Sequence, residues 1–143
     1  MQDYNVVHEP KREEVNMIRV GTAGYSYADW VGPFYPEGMK SGGMLEYYAS
    51  YFSFVEVNST YYHMPGLKLF EGMNNKTPSS FSFAVKLFKG FTHERTSCLE
   101  EAKKFTYSLQ PIIQSGKLAC LLAQFPYSFH YNSENMDYLK TLK

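Results

Sequence analysis

Four short apolar runs, separated by stretches with helical spacing, divide the chain into alternating predicted strands and helices. The runs cover residues 17–22, 54–58, 80–86 and 118–125. Each is rich in β-branched or aromatic residues, which is typical of a buried strand. The last run is almost continuously apolar, which predicts a strand buried on both faces and an inert Cys120 thiol in the core.

The stretches between the runs carry apolar residues three or four positions apart, which predicts helices over about 44–52, 67–73, 97–110 and from Asn132 or Ser133 onwards. Ser97 and Glu100 match a capping box at the start of the third helix. Leu45, Tyr48 and Phe52 are expected to face the sheet. The third helix is expected to point Leu99, Ala102, Phe105 and Leu109 inward. The spacing of Leu67, Phe70 and Met73 indicates the second helix, and Met136, Leu139 and Leu142 share one face of the last. This β-α alternation predicts an α/β fold with parallel strands.

The second run continues into polar residues that a buried strand must satisfy. Alternation places Phe54, Glu56 and Asn58 on one face of that strand. A buried carboxylate is costly unless it is paired. Lys86 ends the next strand on the corresponding face, so we expect an ion pair between Glu56 and Lys86. The alternative is that Lys86 points into a pocket and serves a ligand.

Composition narrows the class of protein. The 143 residues suffice for one domain with a core. The formal net charge is zero, so no global field attracts nucleic acid or an anionic membrane. No run approaches the roughly 18 apolar residues of a membrane helix. Two cysteines favour a reducing cytoplasm over a disulfide scaffold. Residues 1–16 are polar and charged, and we expect a flexible leader there.

Several motifs together resemble the domain of unknown function 72 family. They are Ile18-Arg-Val-Gly-Thr-Ala-Gly-Tyr25 with Trp30, Phe34-Tyr-Pro36, Val55-Glu-Val-Asn-Ser-Thr-Tyr-Tyr62, Phe83-Ala-Val-Lys86, Thr92-His-Glu-Arg95 and Gln124-Phe-Pro126. Tyr25 stands where the family usually has Trp. The resemblance implies a TIM-type barrel. Because family members are nearly twice as long, residues 17–143 correspond to its first four βα units. The chain is then a fragment or truncated product, or two copies complete one another and self-association is expected.

In barrels of this type the functional groups lie at the carboxyl ends of the strands. The resemblance therefore implies three catalytic candidates, with Lys86 as an electrostatic stabiliser and His93 or Glu56 in proton transfer. The candidate ligand-binding residues are Tyr25, Trp30, Asn58, Ser59, Thr60, Arg95 and Gln124. Structural roles remain open for each of them, since strand-end amides also satisfy backbone groups and His93 also fits a surface loop.

Three functions remain open, and the sequence does not decide whether the chain is an enzyme. The favoured one is binding of a small polar or anionic ligand. The second is a nucleic-acid barrel in which Tyr25 and Trp30 stack on bases. The third is a non-catalytic assembly domain or an inactive truncated product. No zinc-type cysteine spacing, HExxH motif or carboxylate cluster occurs, so no metal site is predicted, and the cofactor is left open.

Overall fold

The computed structural model describes residues 18–96 and 98–142. The expected leader at 1–16 and the predicted cap Ser97 lie outside these residues. A short 3₁₀ helix, Ala28–Trp30, follows the first strand. The remaining elements, in chain order, are β1 Thr22–Ala23, α1 Ser41–Ala49, β2 Phe54–Val57, α2 Ser59–Tyr62, α3 Leu67–Asn75, β3 Ser82–Lys86, α4 Lys89–Thr92, α5 Leu99–Ser108, α6 Gln110–Gln114, β4 Leu118–Leu122 and α7 Ser133–Thr141.

The four strands form one sheet in the order β1-β2-β3-β4, and every neighbouring pair is parallel. Each strand therefore pairs with the strand that precedes it in the chain. A register shift between Phe83 and Ala84 interrupts the ladder to β4. The predicted α/β architecture with parallel strands is confirmed.

The core lies between one face of the sheet and the helices. Alternation places Val55 and Val57 of β2 on this face, with Phe83 and Val85 of β3 beside them, and all are 0–3% exposed. Helices α1, α3, α5 and α6 cover them with the buried residues Met44, Leu45, Tyr48, Phe70, Met73, Phe105 and Ile112. The other face of the sheet carries the polar side chains Glu56 and Lys86, both partly exposed.

Two glycines bring β1 against β2. A Cβ atom on Gly21 would lie 2.1 Å from the carbonyl oxygen of Phe54, so no other residue fits there without a backbone shift. Gly24 has a φ of +85°, a conformation that side chains disfavour. The ladder of β1 covers Thr22–Ala23, a shorter strand than the predicted 17–22.

Strand β4 corrects one prediction. Its central residues Ala119, Cys120 and Leu121 are exposed, Leu121 by 43%. The predicted burial on both faces, with Cys120 as a core thiol, is therefore wrong for this chain. The physical reason is position, because among the described residues β4 is at the edge of the sheet and pairs with β3 alone.

Helices occur in all four predicted stretches, but the structure adds the short helical turns α2 and α4 and differs in detail. The third predicted helix divides at Leu109 into α5 and α6, and Leu99, expected inward, is 70% exposed. Its capping box uses Cys98 and Glu101, whose carboxylate accepts from the Cys98 amide at 3.0 Å. The last helix begins as predicted, since the Asn132 side chain accepts the Asn135 amide at 2.8 Å.

Candidate functional site

The carboxyl ends of β1 and β2 border a cavity of about 250 Å³. Four predicted site residues line it, and each is placed by a strand or by the loop that follows one. They are Tyr25 after β1, Glu56 within β2, and Asn58 and Ser59 after β2. Leu69 and Met73 of α3 supply apolar wall. A carboxylate, an amide and a hydroxyl thus converge on one concave surface, which suits a polar ligand.

The predicted ion pair between Glu56 and Lys86 is not formed. Within the described chain the ion pairs are Lys89–Glu94, Lys103–Glu100 and Lys140–Asp137. The ladder sets Glu56 level with Ala84, two residues before Lys86. Glu56 is also only partly buried, so water can hydrate the carboxylate and a charged partner is not required.

Two of the three catalytic candidates, Lys86 and His93, contact the ring of Tyr61. The Lys86 ammonium lies 4.9 Å from the centroid of the Tyr61 ring. The His93 ring meets the same tyrosine edge-on, with centroids 5.0 Å apart and planes at 79°. The Nδ1 atom of His93 lies 3.1 Å from the Thr92 hydroxyl. A cation and an imidazole therefore share one aromatic support, which we call the Tyr61 cluster: Tyr61, Lys86 and His93.

Tyr61 was not among the predicted site residues. The sequence predicts a strand over 54–58, and the structure ends β2 at Val57 and begins the helical turn α2 at Ser59. Asn58, Ser59 and Thr60 are residue types that favour turns and helix starts, and they are the signal that could have indicated this helical turn.

Thr60, one of the predicted ligand-binding residues, makes hydrogen bonds within the fold. It is buried, and its hydroxyl lies 2.6 Å from the carbonyl oxygen of Lys86 and 3.1 Å from that of Val57. This contact joins α2 to the end of β3. It fixes the backbone from which Lys86 projects toward Tyr61.

Arg95 also makes its contacts away from the β1–β2 cavity. Its guanidinium donates to the Asn135 side-chain oxygen at 2.9 Å and lies over the rings of Phe129 and Tyr138, at 5.7 and 5.9 Å. Its φ of 54° lies in the left-handed region. The residue therefore joins the loop after α4 to α7, and it is not among the residues that line the β1–β2 cavity.

The two aromatic residues proposed as a stacking platform are separated. Tyr25 lines the cavity, and burial raises the pKa of its hydroxyl. Trp30 is partly buried and packs on Tyr27, Phe34 and Tyr35, at centroid distances of 4.9, 6.0 and 6.2 Å. Trp30 thus stabilises its own loop. Gln124 is exposed after β4 and is not among the cavity residues.

Lys117, the residue immediately before β4, is a buried cation that was not among the predicted site residues. Its ammonium donates to the carbonyl oxygens of Asn74 and Thr77 at 2.7 and 2.8 Å, and it lies 3.1 Å from the Thr77 hydroxyl. Burial lowers the pKa of this lysine. Because Asn74 and Thr77 lie at the carboxyl end of α3, the ammonium satisfies carbonyl groups that the helix leaves free.

Within 18–96 and 98–142, no group of three or more His, Cys, Asp or Glu side chains is arranged to hold a metal ion. No helix in the described part of the chain has the length and apolar character needed to cross a membrane.

The fold and the strand-end site define an α/β protein whose polar groups gather at the carboxyl edge of a parallel sheet. Residues 19–143 match the family described as "Protein of unknown function DUF72". The chain belongs to the DUF72 family. The family resemblance seen in the sequence motifs is thereby confirmed.

Relatives and solved structures agree with this family assignment. UPF0759 protein YunF from Bacillus subtilis is 34% identical over 133 residues, which cover 89% of this chain and 46% of YunF. The crystal structure of a DUF72 family protein from Thermotoga maritima is 40% identical with a TM-score of 0.76, covering 88% of this chain and 51% of that one. A DUF72 family protein from Enterococcus faecalis is 28% identical with a TM-score of 0.73, covering 88% and 46%. The chain therefore spans about half the length of these relatives.

Proposed function

We propose that the chain binds a small polar or anionic ligand at the carboxyl edge of β2 and β3. The observation that carries this proposal is the Tyr61 cluster. Within the described residues the Lys86 ammonium has no carboxylate partner, and it is held on an aromatic face. A cation that is held in position and has no carboxylate partner can bind an anion. A carboxylate buried beside the Lys86 ammonium would neutralise its charge and prevent this binding.

The neighbouring residues supply complementary chemistry. His93 is exposed, and its Nδ1 faces the Thr92 hydroxyl, so Nε2 is available for a hydrogen bond or a proton transfer to the ligand. Asn58 and Ser59 offer an amide and a hydroxyl from the adjacent strand end. Glu56 adds a carboxylate in the β1–β2 cavity, which Lys86 and His93 do not line. In this proposal Lys86 binds the negative group and His93 and Glu56 contact the rest of the ligand.

The proposal also takes the four strands of this chain as part of a TIM-type barrel. The chain provides four parallel strands in sequential order, and its relatives are about twice as long. Eight such strands close a barrel of this type, with the functional groups at the carboxyl ends of the strands. The Tyr61 cluster lies at the end expected for a site in that frame.

Titration of the chain with inorganic phosphate, followed by NMR or calorimetry, tests the ligand proposal. We expect Lys86→Met to abolish binding and to change the free energy of unfolding by less than about 1 kcal/mol, the usual size of an exposed cation–π contact. Lys103→Met is the matched control, because this lysine lies on α5 and pairs with Glu100. Strong destabilisation by Lys86→Met with unchanged phosphate binding would show that the lysine is structural.

A parallel titration with a short single-stranded oligonucleotide separates the nucleic-acid alternative. Binding through a phosphate backbone falls steeply as salt is raised. If the oligonucleotide binds more tightly than phosphate, with such a salt dependence and with sensitivity to Trp30→Ala, the small-ligand proposal is overturned.

A further inference from the structure

We propose that the ligand of this site is a phosphorylated sugar or polyol, with its phosphate on the Tyr61 cluster and its hydroxyl groups in the β1–β2 cavity. The inference rests on the proposed function and names the class of ligand. The cavity and the Tyr61 cluster differ in chemistry, and each of them fits one part of such a molecule.

The polar side chains of the β1–β2 cavity are free for a ligand. Among the described residues, no hydrogen bond or ion pair engages the side chains of Glu56, Asn58 or Ser59, although all three line the cavity. The neighbouring Thr60, in contrast, is buried, and its hydroxyl bonds to two carbonyl oxygens. A carboxylate, an amide and a hydroxyl without partners provide the acceptors and donors that adjacent sugar hydroxyls require.

The same cavity has a charge and an apolar surface that suit the uncharged part of a sugar. Among the described residues that line it, Glu56 alone carries a charge. Its carboxylate repels an anion but accepts hydrogen bonds from hydroxyl groups. Tyr25, Leu69 and Met73 add aromatic and aliphatic surface, which suits the C–H groups of a sugar ring. The phosphate of such a ligand must therefore bind outside the cavity.

The Tyr61 cluster supplies the positive charge that the cavity lacks. The Lys86 ammonium lies 4.9 Å from the centroid of the Tyr61 ring, and the exposed His93 ring contacts the same tyrosine. A phosphate monoester carries about −1.5 to −2 charges at neutral pH and three terminal oxygens. It can therefore accept hydrogen bonds from the ammonium and the imidazole together, which a carboxylate with a single charge does less well.

The register of the sheet places the cavity and the Tyr61 cluster side by side. Val57 of β2 pairs with Val85 of β3. Asn58 and Lys86 directly follow this pair, and neighbouring strands lie about 4.8 Å apart. Because Asn58 lines the cavity and Lys86 belongs to the cluster, one small molecule can contact both.

Calorimetric titration of the chain with ribose, with inorganic phosphate and with ribose phosphorylated on its primary hydroxyl tests the inference. We expect the phosphorylated sugar to bind about tenfold more tightly than either part alone, because one molecule then occupies both parts of the site. Glu56→Gln should weaken its binding about tenfold and leave inorganic phosphate unchanged, since hydrogen bonds to a charged group are lost. Glu71→Gln is the matched control: Glu71 is exposed on α3 and is not among the cavity residues, so this variant should bind like the wild type.

Ser59→Ala is a second variant, because this exposed hydroxyl makes no hydrogen bond within the described fold. It should weaken the phosphorylated sugar without changing the circular dichroism spectrum. Lys86-dependent phosphate binding with no gain from the sugar, or with a gain that neither Glu56→Gln nor Ser59→Ala reduces, overturns the inference and leaves the proposed function standing. Tighter binding of gluconate, a sugar acid without phosphate, also overturns it. If Lys86→Met leaves phosphate binding unchanged, both proposals fail.

Discussion

The inner strands β2 and β3 and the edge strands β1 and β4 are built from the same kinds of residues but have different surroundings. Val55 and Phe83 are completely buried between two neighbouring strands and a layer of helices. Ala23 of β1 and Leu121 of β4 are exposed, because within the described residues each of these strands has a neighbouring strand on one side only. A hydrophobic pattern therefore specifies that a segment is a strand, whereas burial depends on which neighbours the sheet provides.

A second contrast lies at the entry to β4. Lys117, the residue immediately before this strand, is buried because its ammonium reaches the carboxyl end of α3. The residue that leads into β4 is therefore integrated into the core, and the middle of the strand is exposed. This difference can be tested separately from the difference between strands.

The largest expected effect comes from truncating an inner-strand side chain. Phe83→Ala should lower the free energy of unfolding by about 3–5 kcal/mol, because it leaves a cavity in the core. Leu121→Ala on the edge should cost less than about 1 kcal/mol at concentrations where the chain is monomeric. Urea denaturation followed by circular dichroism measures both. Equal losses for the two variants would contradict the division into inner and edge strands.

A smaller effect on the free energy of unfolding is expected at Lys117, the buried residue that precedes β4. Lys117→Met should lower the free energy of unfolding by about 1–3 kcal/mol, because the carbonyl groups of Asn74 and Thr77 lose a charged donor. Lys76→Met is the control, since Lys76 is exposed and donates to the Gly42 carbonyl from the surface. If both lysine variants unfold at the same urea concentration as the wild type, β4 is peripheral along its whole length.

The smallest effect concerns the loop after β1, where Tyr35 is buried and donates to the Tyr25 carbonyl at 2.5 Å. Burial raises the pKa of Tyr35 to about 12. A raised pKa means that the folded state holds the proton more tightly, so this stability is present below pH 10 and is lost as the pH rises toward 12. The loss of stability between pH 10 and 12 should therefore be shallower in Tyr35→Phe. A slope equal to that of the wild type would show that Tyr35 titrates in the folded protein as it does when unfolded.

The alternation of strands and helices could be predicted because it depends on local periodicity. The burial of β4 could not, since a continuous apolar run is the same whether one or two neighbours adjoin it. At the site, alternation correctly placed Glu56 and Lys86 on one face of the sheet. It did not give their register, and the two-residue offset removed the expected ion pair.

Tyr61 and Arg95 show the same limit. Tyr61 supports Lys86 and His93 because the chain turns into a helix at Ser59, and the predicted strand over 54–58 does not indicate this turn. Arg95 does not line the β1–β2 cavity, and its guanidinium donates to Asn135, 40 residues further along. Contacts of this range depend on the assembled fold, and side-chain type alone does not indicate them.

The sequential strand order has a consequence for biosynthesis. Every strand of the sheet pairs with the strand made just before it, so each βα unit can dock as soon as it leaves the ribosome, on a platform that already exists. Each strand pairs without a segment that is distant in the sequence. The entropic cost of closing a loop therefore stays small at each step. The newest strand is always the edge of the growing sheet. Strand β4, with its exposed Leu121, is that edge once the fourth βα unit has been added.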